Sequence, residues 1–165
     1  MAVSELHYSD EYLWRILCET QRIAGVGMSP KVIRPSWFVG NYMHKKGIGV
    51  IAINPNMAGE MHFGTRAVAS LADIPEAFGS VEMVDIFRRS EQVLPAVEEA
   101  IDILVPRGLK FVWMQIGVIN HEAAKLAESF GLSVVMNRCP KMEYQRLSGE
   151  LRFAGINTGI ISSRM

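Results

Sequence analysis

The chain has 165 residues, and its 17 Lys and Arg are balanced by 17 Asp and Glu. A net charge of zero excludes bulk electrostatic attraction to nucleic acid or to an anionic membrane, so any anion site must be local. Hydrophobic residues make up 49% and charged residues 21%, an ordinary globular balance at a length that supports one domain with a proper core.

Ser9-Asp10 is placed to cap a helix running to about Thr20, with Tyr12, Leu13, Ile16 and Leu17 on its apolar face. Ile23, Ala24 and Val26, with two glycines, read as a buried strand that stops at Gly27. Pro30 and Pro35 forbid its continuation, because each removes a ladder donor and fixes φ. Helical spacing follows, with Phe38, Val39, Tyr42 and Met43 on one face, Ser36 placed to cap, and Lys45-Lys46-Gly47 as the stop. A second strand is expected over 50–53, ended by Asn54-Pro55-Asn56, and a short third strand over 67–69. Ala72-Asp73-Ile74-Pro75 is turn material. The spacing then predicts a strand over 81–87, a helix over 92–105 with Val93, Val97, Ile101 and Leu104 in register, and a strand over 110–115. Asn120 caps a helix to Phe130 that Gly131 stops; a last strand over 132–136 and a short helix over 140–147 complete the pattern. The tail, GINTGIISSRM, has no helical period.

Apolar strands alternating with helices predict a parallel sheet covered on both faces: an α/β, three-layer, Rossmann-like doubly wound fold. The pattern does not fix strand order. The common doubly wound solution places a ligand at the carboxyl ends of the first strand and of the strand over 81–87. The expected organisation is a helical extension over 1–21 and a Rossmann-like domain over 22–165. No apolar run approaches a membrane span, and the start, MAVSELHYSDEY, lacks a signal peptide's layout. Cys18 and Cys139 lie far apart without metal-type spacing, so a reducing, cytoplasmic setting is expected.

Several segments carry ligand chemistry. Gly25-Val26-Gly27 supplies two glycines of a dinucleotide fingerprint, and Pro30 occupies the third position. Ser29 adds a hydroxyl, Lys31 and Arg34 add positive charge, and the following helix aims free N–H groups at the turn, a donor set suited to a pyrophosphate. The alternative is an ordinary strand-to-helix turn. Where a domain that binds NAD carries Asp or Glu for a ribose hydroxyl, this chain has Asn54, and its next carboxylate is Glu60. That counts against NAD and suits a ligand with phosphate on its ribose. Phe87-Arg88-Arg89 puts guanidinium groups at the ligand edge, one of which is expected to reach a phosphate. In Gln115-Ile116-Gly117 the glycine allows close backbone approach. Cys139 reads as a small core residue, and His7, His44, His62 and His121 are scattered without ligand spacing. No nucleophile–base pair and no metal set is identified.

Taken in order, VGMSPKVIRPSWFVGNYM, INPN, ASLADIP, VDIFRRSE, VWMQIGV and NRCPK resemble the small CoA-binding domain proteins of bacteria and archaea, which are similar to the CoA-binding domain of the succinyl-CoA synthetase α subunit. The resemblance runs from Arg22 to the C-terminus. It implies a Rossmann-like domain with coenzyme A, or an acyl-CoA or other CoA derivative, along the carboxyl edge of the sheet. The CoA-contacting glycine-rich turn then corresponds to Gly27-Met28-Ser29-Pro30, the synthetase's valine-proline segment to Phe87-Arg88-Arg89, and a further contact segment to Gln115-Ile116-Gly117. Its Asn-Cys-Pro segment resembles Asn137-Arg138-Cys139-Pro140, with one residue inserted. The expected binding set adds Lys31, Arg34, Ser36 and Asn54. The synthetase's phosphohistidine domain is not matched, so the resemblance carries over binding and not ligase chemistry. Open alternatives are a nicotinamide-dependent oxidoreductase, a CoA-thioester enzyme completed by a partner, and a partner-binding module without ligand. A homo-oligomer is also left open.

Overall fold

The computed structural model describes residues 6–149, so the expectation for the tail from Gly155 onward lies outside the described residues. Five parallel strands form the main sheet: β1 (Arg22–Val26), β2 (Gly49–Ile53), β5 (Met83–Ile86), β6 (Phe111–Met114) and β7 (Ser133–Val135), in the order β2-β1-β5-β6-β7. A two-stranded antiparallel hairpin, β3 (Met61–His62) and β4 (Thr65–Arg66), stands apart from it. The helices are α1 (Asp10–Glu19), α2 (Pro35–Lys45), α3 (Val93–Leu104), α4 (His121–Ser129) and α5 (Pro140–Ser148). This is the expected doubly wound α/β fold. Strand order reverses between β1 and β5, which leaves a crevice at their carboxyl ends.

The period of two along each strand divides the core into two layers. Ala24, Val26, Ile51, Val84, Ile86 and Val112 pack with Val97, Leu104 and Ala127 from α3 and α4. Ile23, Val50, Met83, Phe111, Trp113 and Val135 pack with Leu13, Leu17, Val39, Met43 and Leu147 from α1, α2 and α5. Both faces are covered, which is why the strands read as unbroken apolar runs.

Both edges of the sheet are occupied. On β7, the Tyr12 hydroxyl donates to the Val134 carbonyl at 2.9 Å, and the Met136 N–H donates to the Tyr8 hydroxyl at 2.8 Å. The two phenol rings stack with centroids 5.8 Å apart. The N-terminal segment thus satisfies polar groups that an edge strand exposes. On β2, Val68 bridges Ile53, with the Val68 N–H donating to Ala52 and the Asn54 N–H donating to Val68.

Element limits depart from expectation for local reasons. The strands expected over 81–87, 110–115 and 132–136 are shorter, because their outer residues leave the ladder; the Phe87 N–H still bonds to the Val26 carbonyl at 2.9 Å. The strand expected over 67–69 is the single Val68 bridge, and the hairpin before it has strands too short to show alternation. Ser36 does not cap α2. Pro35 takes the first helical position, where its missing N–H is harmless, and Arg34 becomes the N-cap. Phe38 is 47% exposed, so the buried face of α2 is carried by Val39 and Met43.

Between β1 and α2 lies an eight-residue connection, 27–34, held by one side chain. Met28 is 1% exposed and turns back into the core. A Cβ on Gly25 would stand 2.3 Å from its Sδ, and a Cβ on Gly40 would stand 2.6 Å from its Cε. Two glycines, one on the strand and one on the helix, make room for it. Gly40 also accepts Phe63 from the hairpin, whose ring would lie 2.6 Å from the same added Cβ. Gly25→Ala and Gly40→Ala should each lower stability by about 1–3 kcal/mol through overpacking. Urea denaturation checks this, and variants as stable as wild type would show that Met28 is not confined.

Candidate functional site: a cleft at the carboxyl edge

The crevice between β1 and β5 opens into a cleft of about 750 Å³. One wall comes from the 27–34 connection and the first turns of α2: Gly27, Ser29, Lys31, Arg34, Pro35, Ser36 and Val39. The other comes from the ends of β5 and β6 and the start of α5: Phe87, Gln115, Ile116, Val118, Cys139 and Met142. Eight of the residues singled out in the sequence therefore meet here: Gly27, Ser29, Lys31, Arg34, Ser36, Phe87, Gln115 and Ile116.

The turn is fixed by its own polar groups. The Ser29 N–H donates to Ser36 Oγ at 2.9 Å, and the Lys31 N–H donates to Ser29 Oγ at 3.2 Å. Ser36 thus closes the connection onto the helix. Gly27 has φ +82°, and its N–H donates to the Ile53 carbonyl at 3.0 Å. The Arg88 side chain lies over it, with Nε, Cδ and Cγ at 3.1, 3.2 and 3.3 Å from where a Cβ would stand.

Six expected site residues lie outside the lining. The Met28 side chain is in the core. Asn54 works from behind: its Nδ2 donates to the Met28 carbonyl at 2.8 Å, and its Oδ1 accepts from the Asn56 N–H at 2.9 Å. Pro30 is half-buried, and Arg89 is exposed at the N-cap of a short turn over Ser90–Gln92. Arg88 is half-buried beside Gly27. Gly117 has φ +83°, and its N–H donates to Asn137 Oδ1 at 2.7 Å. Among the described residues, no carboxylate pairs with Lys31, Arg34, Arg88 or Arg89.

The sequence reading missed the apolar wall of Pro35, Val39, Val118 and Met142. Val39 was legible as the residue one helical turn beyond Ser36. Cys139, expected as a small core residue, does pack against the core layer beneath α5, and it is also partly exposed and lines the cleft. Burial pushes the Cys139 thiol above its ordinary value; the backbone of Met142 and Lys141 pulls it down, and the charge of Asp85 pushes it up. Of the lining residues, Ile116 and Met142 are open to solvent, and Val32 and Ile33 on the 27–34 connection are exposed as well, Ile33 by 81%.

Asp85 was passed over within an apolar strand. It is 1% exposed and lies behind Val39, Phe87 and Met28. Its partner is Gln115, whose Nε2 donates to both carboxyl oxygens at 2.9 and 3.1 Å. Burial raises the Asp85 pKa to about 7, against the pull of that hydrogen bond.

A family model for the CoA binding domain matches residues 21–145. The chain belongs to the CoA-binding domain family. It is 34% identical over 129 residues to "Uncharacterized protein YneT" of Bacillus subtilis (strain 168), spanning 78% of this chain and 89% of that relative. A hypothetical protein from Pyrococcus horikoshii OT3 has a similar structure, with TM-score 0.77 and 36% identity over 88% of this chain and 96% of that one. A structure from Thermus thermophilus, cell-free ID.343, matches with TM-score 0.76 and 31% identity over 85% and 99% of the two chains. Among the described residues, no helix is long and apolar enough to cross a membrane, and no group of three or more His, Cys, Asp or Glu is placed to hold a metal ion.

The buried acid makes a prediction about stability. Asp85 keeps its proton in the fold up to about pH 7, whereas in the unfolded chain it ionises from its ordinary value upward. The native state then binds more protons across that window, so its contribution to stability falls as pH rises, by about 1.4 kcal/mol per pH unit, and levels off above about pH 7. Asp85→Asn should remove that slope. Denaturant titrations between about pH 5 and about pH 8 test it, and equal slopes in both proteins would contradict it.

Proposed function

We infer that this protein binds coenzyme A, or an acyl-CoA, in the cleft between β1 and β5. The observation that carries the reading is the graded chemistry of that cleft. Lys31 and Arg34 stand on one wall beside the Gly27 turn, with Arg88 over that turn and none of the three cations engaged by a carboxylate among the described residues. Val39, Phe87, Val118 and Met142 supply an apolar surface in the same cavity. CoA has a matching division: a pyrophosphate and a ribose phosphate at one end, and a pantetheine arm, mostly apolar, at the other. The family membership supports the same ligand. The residues present fit the group, since charged and apolar surfaces occur in one cavity of suitable size.

In this reading the Gly27 turn allows the backbone to approach the pyrophosphate, and Arg88 braces it with a guanidinium that can hold two phosphate oxygens. Asn54 keeps the turn in place through the Met28 carbonyl and leaves no carboxylate to repel a ribose phosphate. The protein acts by binding, without catalytic machinery of its own. The likeness to the CoA-binding domain of succinyl-CoA synthetase and the division into an N-terminal helix and a binding domain belong to the same proposal.

Calorimetric titration should show CoA binding more tightly than NAD or NADP; equal or tighter NAD binding would remove the assignment. Gly27→Val places a β-branched residue at positive φ, with about 1–2 kcal/mol of backbone strain, and displaces Arg88. It should abolish CoA binding while circular dichroism still reports a folded protein. Arg88→Ala should weaken CoA by about 1.5–3 kcal/mol, as expected for a charge-assisted hydrogen bond, and Arg89→Ala by much less. Dephospho-CoA, tested on the same variants, shows which phosphate is held. If neither variant loses affinity for either ligand, the arginines lie outside the site.

A further inference from the structure

Gln115 lines the cleft, and the two ends of its side-chain amide have opposite hydrogen-bonding character. The nitrogen is turned inward, donating to both oxygens of Asp85. The oxygen has no protein partner among the described residues. It is not sealed away either, since no buried side-chain nitrogen or oxygen there lacks a partner. It therefore opens to the cleft. An ionised carboxylate only accepts hydrogen bonds, so Asp85 can hold the amide in just this sense, nitrogen in and oxygen out.

Asp85 has little else to interact with. In the sheet it lies between Gly25 of β1 and Trp113 of β6, and the small cavity it borders is lined otherwise by apolar groups, among them Ile23, Met28, Val39, Met43 and Phe87. The titratable group that senses its charge is the Cys139 thiol at the start of α5. No cation pairs with it among the described residues. A carboxyl group buried on an apolar wall is costly, and here its one hydrogen-bonding partner is the residue that faces the ligand.

We propose that Gln115 determines specificity in the cleft, with Asp85 as its positioning residue: the pair presents a fixed carbonyl acceptor that reads an uncharged N–H donor on the amide arm of the ligand. The inference rests on the CoA reading above. The two secondary amides of pantetheine each carry one N–H. The phosphates carry negative charge and are poor partners for an outward carbonyl, so the acceptor favours the arm and disfavours the nucleotide's anionic groups. When Asp85 is protonated, its O–H can donate to the Gln115 oxygen instead, the amide can turn over, and the acceptor is lost to the cleft.

Titration with CoA and with adenosine 3′,5′-bisphosphate, which has the phosphates and no amide arm, tests the pair. Gln115→Met keeps the side chain's length and removes the acceptor. It should weaken CoA by about three- to tenfold, the range of one neutral hydrogen bond, and leave the bisphosphate unchanged. Wild-type affinity for CoA should fall as pH drops below about 7, relative to the bisphosphate, and Asp85→Asn should flatten that difference. This pH arm uses no Gln115 variant, so it stands even where Gln115→Met fails to fold. Unchanged CoA affinity in folded Gln115→Met, an equal loss on both ligands, or the same pH profile in wild type and Asp85→Asn overturns the inference alone. Failure of wild type to bind CoA overturns the ligand reading and this inference with it.

Discussion

At the end of β1 the chain folds Met28 back into a space that exists only because Gly25 and Gly40 lack side chains. That insertion joins the strand to the helix on the far side of the connection. It also anchors the end of the 27–34 segment from which Ser29, Lys31 and Arg34 extend over the cleft. Interiors packed at crystal-like density transmit such a constraint, because a displaced methionine has nowhere else to go. The hydrogen bond from Asn54 to the Met28 carbonyl adds a second tie, from β2, to the same residue. The ligand edge is thus set by a core contact rather than by loop residues alone. Phe63, packed at Gly40, brings the hairpin into the same arrangement.

Charge is distributed against this scaffold in an uneven way. The cations at the edge stand in or near solvent, where an unpaired lysine or arginine costs little, and no carboxylate competes for them among the described residues. Asp85, the acid on the strand that ends at the cleft, is inside the protein and borders a small cavity lined mostly by apolar side chains. A phosphate approaching the turn meets the positive groups directly, while the carboxylate is separated from it by packed side chains.

The sequence made the layers legible because both faces of the sheet are covered. Apolar runs such as 50–53 and capping residues such as Ser9 and Asn120 have one physical reading each, and both caps accept from the expected backbone N–H groups. Ser36 was misread because two good N-terminal signals, a serine and a proline, stood side by side, and the fixed φ of Pro35 decided the register. The hairpin at 61–66 escaped because two-residue strands have no period. In the cleft, the polar half was visible as glycine, serine and basic residues in sequence. The apolar half was not, since Val39, Val118 and Met142 look like core until tertiary packing leaves them on a wall. Asp85 was hidden by the pattern itself: an acid within a run that is otherwise apolar is easily read as an interruption, and only the sheet shows that it points at Gln115.

The two occupied edges of the sheet have a consequence for how copies of this protein meet. An open parallel sheet ordinarily offers bare N–H and C=O groups along its outermost strands, and these can template the addition of a strand from another molecule. Here the phenols of Tyr8 and Tyr12 hold that place on β7, and the segment around Val68 holds it along the carboxyl half of β2. Growth by strand addition must first break those bonds. Losing Tyr8 and Tyr12, which lie outside the matched family segment, would therefore bare the β7 edge to strand addition from another molecule.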